Sequence, residues 1–258
     1  MVTIKKAEEI AMIRQGGKIL AGILEKLRQA AKPGVTTLEI DTLAEKLILE
    51  NGGLPAFKNY KGHVDDTPFP STICAAVNTQ LVHAIPGDYV LKNGDIFSID
   101  IGMKYPAKDP GYFTDMTITF GIGDISPLAQ KVIRVTKKSL AVGLEQIREG
   151  NYLSDIGRAI QRYVESEGFS VVRELVGHGV GYGVHEDPRV PNFWDNHQSD
   201  MQLKAGMVLA IEPMVNVGHY AIKTADDGWT VVTADDNLCA HFEHTIAVTK
   251  NGCDILTQ

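Results

Sequence analysis

Four acids occupy matched settings in two halves of this chain. Residues 83–118 hold His83-Ala-Ile-Pro86, then Leu91-Lys-Asn-Gly-Asp-Ile-Phe-Ser-Ile-Asp100, then Asp115-Met-Thr-Ile118. Residues 185–246 hold His185-Glu-Asp-Pro188, then Leu203-Lys-Ala-Gly-Met-Val-Leu-Ala-Ile-Glu212, then Glu243-His-Thr-Ile246. A duplicated fold gathers equivalent positions around a pseudo-twofold axis, so Asp100, Asp115, Glu212 and Glu243 are expected to share one site. Clustered carboxylates repel unless cations sit among them. Two divalent ions would neutralise four such groups, whereas one would leave half the charge uncompensated; an acid bridging two ions is therefore the expected arrangement.

His178 lies between Gly177 and Gly179 and has no counterpart in the first half. Glycine neighbours let the backbone approach closely and leave room around an imidazole. An oxygen-rich set with one imidazole and no thiolate suits Mn²⁺, Fe²⁺, Co²⁺ or Zn²⁺ better than Mg²⁺, Ca²⁺ or a structural zinc. Water between two such ions becomes a nucleophile near neutral pH, and the ions polarise a carbonyl. His83 and His185 occupy matched positions. They read either as donors to a developing oxyanion or as turn histidines packed before Pro86 and Pro188. His63, His197, His219, His241 and His244 have no matched partner and are expected on the surface or in turns. His63-Val-Asp65-Asp66 has the composition of a metal loop but no repeat partner. Gly177–Gly183 lacks both the spacing of a dinucleotide fingerprint and the Lys-Ser/Thr of a phosphate loop.

The elements that must position these groups repeat as well. Residues 6–31 carry apolar residues at helical spacing and stop at Pro33-Gly34; Thr37 is the expected cap of a second helix running to Gly52. In the second half Ser126-Pro127 starts a helix expected to run through Leu140, Leu144 and Ile147 to Gly150, and Ser154 is the expected cap of a helix ending near Gly168. The segment from Gly34 to Gly52 aligns without gaps on that from Gly150 to Gly168. Strand-like runs follow each helix pair at Ile96–Ile101, Met116–Phe120, Val208–Ile211 and Thr245–Thr249. Asp100 and Glu212 are expected to end strands, and Asp115 and Glu243 to begin them. The helix, helix, strands order repeated once predicts an α+β architecture. Residues 55–73 and the Tyr-Pro-Ala-Lys-Asp-Pro stretch after Lys104 read as irregular loops. With no interdomain linker, residues 1–258 are expected to form a single catalytic domain, with internal repeats of about 1–122 and 123–258.

The net charge of −7 and the absence of a Lys/Arg cluster argue against a nucleic-acid surface. No stretch is long and apolar enough for a membrane span, and the N-terminus lacks the apolar region of a secretion signal. Cys74, Cys239 and Cys253 are scattered and odd in number, which fits neither a disulfide framework nor a cysteine zinc site. A reduced, cytoplasmic protein is expected.

These motifs, above all VNTQLVHAIPGDYVLKNGDIFSIDIG, GHGVGYGVHEDPRVPNF, VLAIEPMVN and DGWTVVTADDNLCAHFEHTIAV, resemble type I methionine aminopeptidases, and the resemblance covers essentially the whole chain. It implies the pita-bread (creatinase/aminopeptidase) fold of peptidase family M24, in which pseudo-twofold duplicated halves surround a curved antiparallel sheet. It implies two divalent ions (Co²⁺, Mn²⁺, Fe²⁺ or Zn²⁺) on Asp100, Asp115, His178, Glu212 and Glu243, with Asp115 and Glu243 bridging. It further implies that His83 and His185 contact substrate and the tetrahedral intermediate, that Glu212 moves a proton from the attacking water, and that Phe69, Cys74 and Trp229 line a methionine pocket. The implied activity is removal of the initiator methionine from nascent polypeptide N-termini by a monomer that meets the ribosome transiently and uses neither DNA nor membrane. A related X-Pro aminopeptidase or dipeptidase is the alternative, decided by a pocket for proline at the second position. A role in binding alone is disfavoured because all five implied ligands are retained. Three departures stand out: Ala84 where the type I family usually has glycine, four extra residues between Asp100 and Asp115, and a Gly-Tyr-Phe-Thr-Asp115 sequence closer to the prolidase branch.

Overall fold

A computed structural model describes residues 2–62, 67–194 and 200–258. His63, Asp65, Asp66 and His197 therefore lie outside the described residues, and so does the metal-loop reading of His63-Val-Asp65-Asp66. Helices α1 (Ala7–Ala30) and α2 (Thr37–Glu50) precede strands β1 (Leu54–Pro55), β2 (Ile73–Val77), β3 (Gln80–Val82), β4 (Ile96–Tyr105) and β5 (Tyr112–Gly121). Helices α3 (Pro127–Leu144) and α4 (Leu153–Ser166) precede β6 (Ser170–Val171), β7 (Gly177–Gly179), β8 (Glu186–Val190), β9 (Val208–Ile211), β10 (Met214–Asn216), β11 (Ile222–Thr224), β12 (Val231–Thr233), β13 (Cys239–His241), β14 (Glu243–Val248) and β15 (Cys253–Ile255).

The main sheet is antiparallel and runs β1-β4-β5-β14-β9-β7-β8, with β2 added to β4 and β15 to β14. Its centre is symmetric. Reading outward from the β5–β14 pair, β4 then β2 lies on one side and β9 then β7 on the other. The helices repeat this symmetry: α2 and α4 are both 14 residues long, and each is followed by a left-handed glycine, Gly52 at φ 76° and Gly168 at φ 83°. The Leu-Lys-x-Gly turns are held alike, by Gly34 N–H on Leu91 C=O in one half and Gly150 N–H on Leu203 C=O in the other.

Strand alternation separates core from site. Phe97, Ile99, Ile101 and Met103 of β4 pack with Leu20, Leu24 and Leu27 of α1 and Ile40 of α2. Ile246 and Val248 of β14 pack with Val132 and Val135 of α3 and Ile156 and Ile160 of α4. The intervening residues Asp100, Asp115, Thr117, His241, Glu243 and Thr245 therefore take the opposite face, and all are buried.

Several local expectations are corrected. The cap of α2 is Thr36, whose hydroxyl accepts from Glu39 N–H, while the Thr37 hydroxyl instead donates to Gly87 C=O. The cap position of α4 is Tyr152, and Asp155 accepts from its N–H; Ser154 already lies inside the helix. Helix α3 ends at Leu144, because tight turns at Gln146 and Ile147 close the chain before Gly150. Asp100 and Asp115 sit inside their strands, since the β4–β5 hairpin stays paired from Ile96↔Gly121 to Tyr105↔Tyr112. The extra residues thus lengthen the hairpin tip and leave the acids in register.

Helix α4 packs so closely that a Cβ on Gly157 would lie 2.5 Å from the Phe193 carbonyl oxygen. Alanine in a helix interior normally gains up to about 1 kcal/mol over glycine. Here Gly157→Ala is expected to destabilise by about 1–3 kcal/mol, because backbone must move to admit the methyl. Urea unfolding of the variant checks the sign.

Candidate metal centre and adjoining pocket

Adjacent strands bring Cys74, Asp100, Thr117 and Glu243 into one cross-strand row, through the pairs Cys74↔Asp100, Asp100↔Thr117 and Glu243↔Thr117. Residues directly opposite in a sheet have Cβ atoms about 4.5–5.5 Å apart. Asp115 lies two residues from Thr117 on the same face of β5, Glu212 follows β9, and His178 is the central residue of β7. His178 reaches this face because β7 is flanked by glycines: a Cβ on Gly177 would collide with the Ala210 carbonyl, and one on Gly179 with that of Asp187.

One oxygen or nitrogen each from Asp115, His178 and Glu243 lie within 4.8 Å of one another, a separation that one ion can span. His178 Nε2 is 4.0 Å from Asp115 Oδ2 and 3.4 Å from Glu212 Oε1. Its Nδ1 lies 2.9 Å from Gly179 C=O, which favours the tautomer with hydrogen on Nδ1 and a free Nε2 lone pair facing the acids. Thr117 Oγ1 sits 2.9 Å from Asp100 Oδ1 and 2.8 Å from Glu243 Oε2. A hydroxyl has one proton and can donate to one carboxylate at a time. Glu243 Oε1 is buried and has no hydrogen-bond partner among the described residues.

Electrostatics reinforce the geometry. Burial, followed by the neighbouring carboxylates, pushes Asp115, Glu212 and Glu243 well above the usual acid range, and burial also raises Asp100. Four carboxyls that resist ionising together, one with an orphan oxygen, are suited to divalent cations. The donor set of carboxylates and one imidazole fits Mn²⁺, Fe²⁺, Co²⁺ or Zn²⁺. Burial pushes the imidazoles of His83 and His178 down to about 4 and that of His185 to about 3, so all three are neutral at pH 7.

All ten residues singled out in the sequence border one cavity of about 130 Å³. Phe69, Cys74 and Trp229 form its apolar side together with Phe57, Tyr60 and Val82. Trp229 stacks edge-on against Phe69 at 5.2 Å and faces the His83 ring at 6.3 Å. Burial and the nearby Asp100 raise the Cys74 thiol well above its usual range, so it serves as apolar wall.

Four further residues contribute to the site. His241 is not a surface residue: it is 1% exposed, with Nε2 3.5 Å from Glu212 Oε2. Its signal is its place between Ala240 and Phe242, which both pack in the core, so that His241 at the end of β13 turns the opposite way. Likewise His244 is half-buried, with Nδ1 3.0 Å from the Thr257 hydroxyl, whereas His219 is exposed as expected. Tyr60, in the stretch read as irregular loop, places its hydroxyl 2.7 Å from His185 Nδ1. The threonines of the repeated Asp/Glu-x-Thr-Ile motif anchor the acids: Thr117 contacts two carboxylates, and Thr245 accepts from Asp115 N–H and donates to Asp115 C=O.

The sequence model for metallopeptidase family M24 matches residues 11–250. The chain is 50% identical over 258 residues to methionine aminopeptidase 1 of Bacillus subtilis, covering 100% of both chains. Its fold matches the crystal structure of methionine aminopeptidase from Rickettsia prowazekii with a TM-score of 0.93 at 38% identity, covering 100% of both chains. Prolidase from Pyrococcus horikoshii shares the fold, with a TM-score of 0.78 at 23% identity over 99% of this chain and 63% of that one.

In the cation-free protein each of these carboxyls keeps its proton to a higher pH in the folded than in the unfolded chain. Their contribution to stability is therefore full below about pH 4 and is lost as pH rises through the raised folded values. The gain in Tm from Mn²⁺ over chelator should accordingly be larger at pH 7.5 than at pH 5, measured by thermal unfolding. Glu243→Gln should raise the Tm of the chelated protein at pH 7.5, by the equivalent of about 1–3 kcal/mol, and shrink the Mn²⁺ gain. A lower Tm in chelator would contradict charge repulsion at this site.

Proposed function

Since the chain belongs to metallopeptidase family M24, we propose that its cavity removes N-terminal methionine from polypeptides. The observation that carries this reading is the junction of an acid-and-imidazole cluster with an apolar recess of side-chain size. The apolar part of the cavity is walled by Phe57, Phe69, Cys74 and Trp229, directly beside the five acid and imidazole groups. We further propose that residues 1–258 act as one catalytic unit built from repeats of about 1–122 and 123–258. On this reading Asp100, Asp115, His178, Glu212 and Glu243 would hold two divalent ions.

When bound, such ions supply a water acidic enough to attack at neutral pH and a Lewis acid for the scissile carbonyl. The protein's own groups do the rest. Phe57, Phe69 and Trp229 exclude water around the methionine side chain, and Cys74 closes the recess without reacting. His83 and His185, neutral at pH 7, donate N–H bonds to the carbonyl oxygen as it gains negative charge. Glu212, buried between the imidazoles of His178 and His241, accepts the proton released by the attacking water and returns it to the departing amine. The carbonyl carbon gains a C–O bond, the C–N bond breaks, and free methionine and a shortened peptide leave. Nascent polypeptides are the proposed substrates, met by a monomer in the cytoplasm during transient contact with the ribosome. Among the described residues no helix is long and apolar enough to cross a membrane.

Protein loaded with Mn²⁺, Fe²⁺, Co²⁺ or Zn²⁺ should release methionine from Met-Ala-Ser and leave Ala-Pro peptides intact. Chelator should abolish turnover, and Asp115→Asn should lower kcat by about a thousandfold, as expected when several kcal/mol of charge stabilisation is lost. Preferential cleavage before proline would instead establish an X-Pro peptidase.

A further inference from the structure

Beside the cavity, a second charged cluster is assembled from distant parts of the chain. Lys5, in the segment before α1, has a side chain only 1% exposed, and its Nζ lies 2.8 Å from Glu186 Oε2. The Thr3 hydroxyl donates to the same oxygen at 2.7 Å. The other oxygen, Oε1, accepts from the backbone N–H groups of Tyr182 and Gly183. Lys5 also lies 4.9 Å from the centre of the Tyr182 ring, whose hydroxyl donates to Glu9 Oε2 at 2.8 Å. The segment is fixed in turn by Lys5 N–H on Gly206 C=O. Burial alone would raise the Glu186 carboxyl, but bonds from Lys5, Thr3 and Gly183 hold it below its usual range.

Glu186 directly follows His185, and residues 181–184 directly precede it. Two carboxylate oxygens with four donors fix this turn from one side, while Tyr60 holds His185 Nδ1 from the other. We propose that Lys5 is a positioning residue for His185: its buried ion pair with Glu186 makes the N-terminal segment a strap that sets where the His185 ring meets substrate. The inference rests on the proposed peptidase role of His185, but the strap itself can be read without turnover. A buried, hydrogen-bonded pair of this kind resembles the outer-shell supports whose loss costs about 10–100-fold in function.

The test uses full-length, Mn²⁺-loaded protein carrying Lys5→Met, Lys5→Arg or Glu186→Gln. Arg14→Met serves as control, because it removes an exposed ion pair with Asp254 elsewhere at the N-terminal helix. For Lys5→Met, kcat on Met-Ala-Ser should fall at least about tenfold, with KM and calorimetric Mn²⁺ affinity within about threefold of wild type. Lys5→Arg should recover most of the loss, and Arg14→Met should change nothing. In ¹⁵N-histidine spectra of metal-free protein, the His185 ring signals should shift in Lys5→Met while those of His244 stay put. If Lys5→Met does not fold, the near-isosteric Glu186→Gln carries the same readouts. Unchanged kcat and superimposable His185 signals overturn the inference, as does a kcat loss matched by equal loss of Mn²⁺ affinity. Shifted His185 signals in a protein whose wild type releases no methionine uphold the strap and overturn the peptidase reading instead.

Discussion

The structure depends on the antiparallel pairing of β5 with β14. That pair lies at the pseudo-twofold axis, and on its site face each acid stands near the other strand's threonine. Glu243 is opposite Thr117, whose hydroxyl reaches its carboxylate, and Asp115 is held through its backbone by the Thr245 side chain. The positions are related by exchange of the strands, but the contacts differ: Thr117 reaches carboxylates, and Thr245 reaches the Asp115 backbone. The repeated Asp/Glu-x-Thr-Ile motif is thus half of a reciprocal clamp that needs both copies. Like charges opposed across a sheet destabilise it, so the clamp forces carboxylates together and a second component must neutralise them.

The remainder of the chain supports that arrangement. Helices α1 and α2 cover one half of the sheet and α3 and α4 the other, with an apolar core cluster under each half on the face away from the acids. Core packing of this kind resists small displacements, so the carboxylates cannot drift apart to relieve repulsion. Desolvation and mutual repulsion instead appear as raised carboxyl affinities for protons, and the same forces favour divalent cations. The imidazoles respond oppositely: burial keeps them neutral, with lone pairs and N–H groups available as ligands and donors.

Much of this was legible in the sequence because duplication turns single residues into pairs. The acids, the two His-x-x-Pro histidines and the aligned helices α2 and α4 were found by matching one half against the other. Where the halves differ, the pairing is silent. His241 has Phe113 at the equivalent place and so no matched partner, although its flanking Ala240 and Phe242 take the core side and leave it the other. Tyr60 lies in a stretch without periodicity, where no pattern says which way a side chain turns. The caps were misplaced by one or two residues because Thr36 and Thr37 are chemically alike, and only the tertiary contact with Gly87 decides which one caps. Strand ends were set too short because the apolar run stops before the β4–β5 hairpin pairing does.

On the proposed reading the duplicated clamp builds one centre for two ions. Anomalous diffraction from crystals of the protein loaded with Mn²⁺ tests it most directly. Two manganese peaks are expected beside Asp115 and Glu243, with His178 next to one of them only. A single peak away from these residues, or none at saturating Mn²⁺, would contradict it.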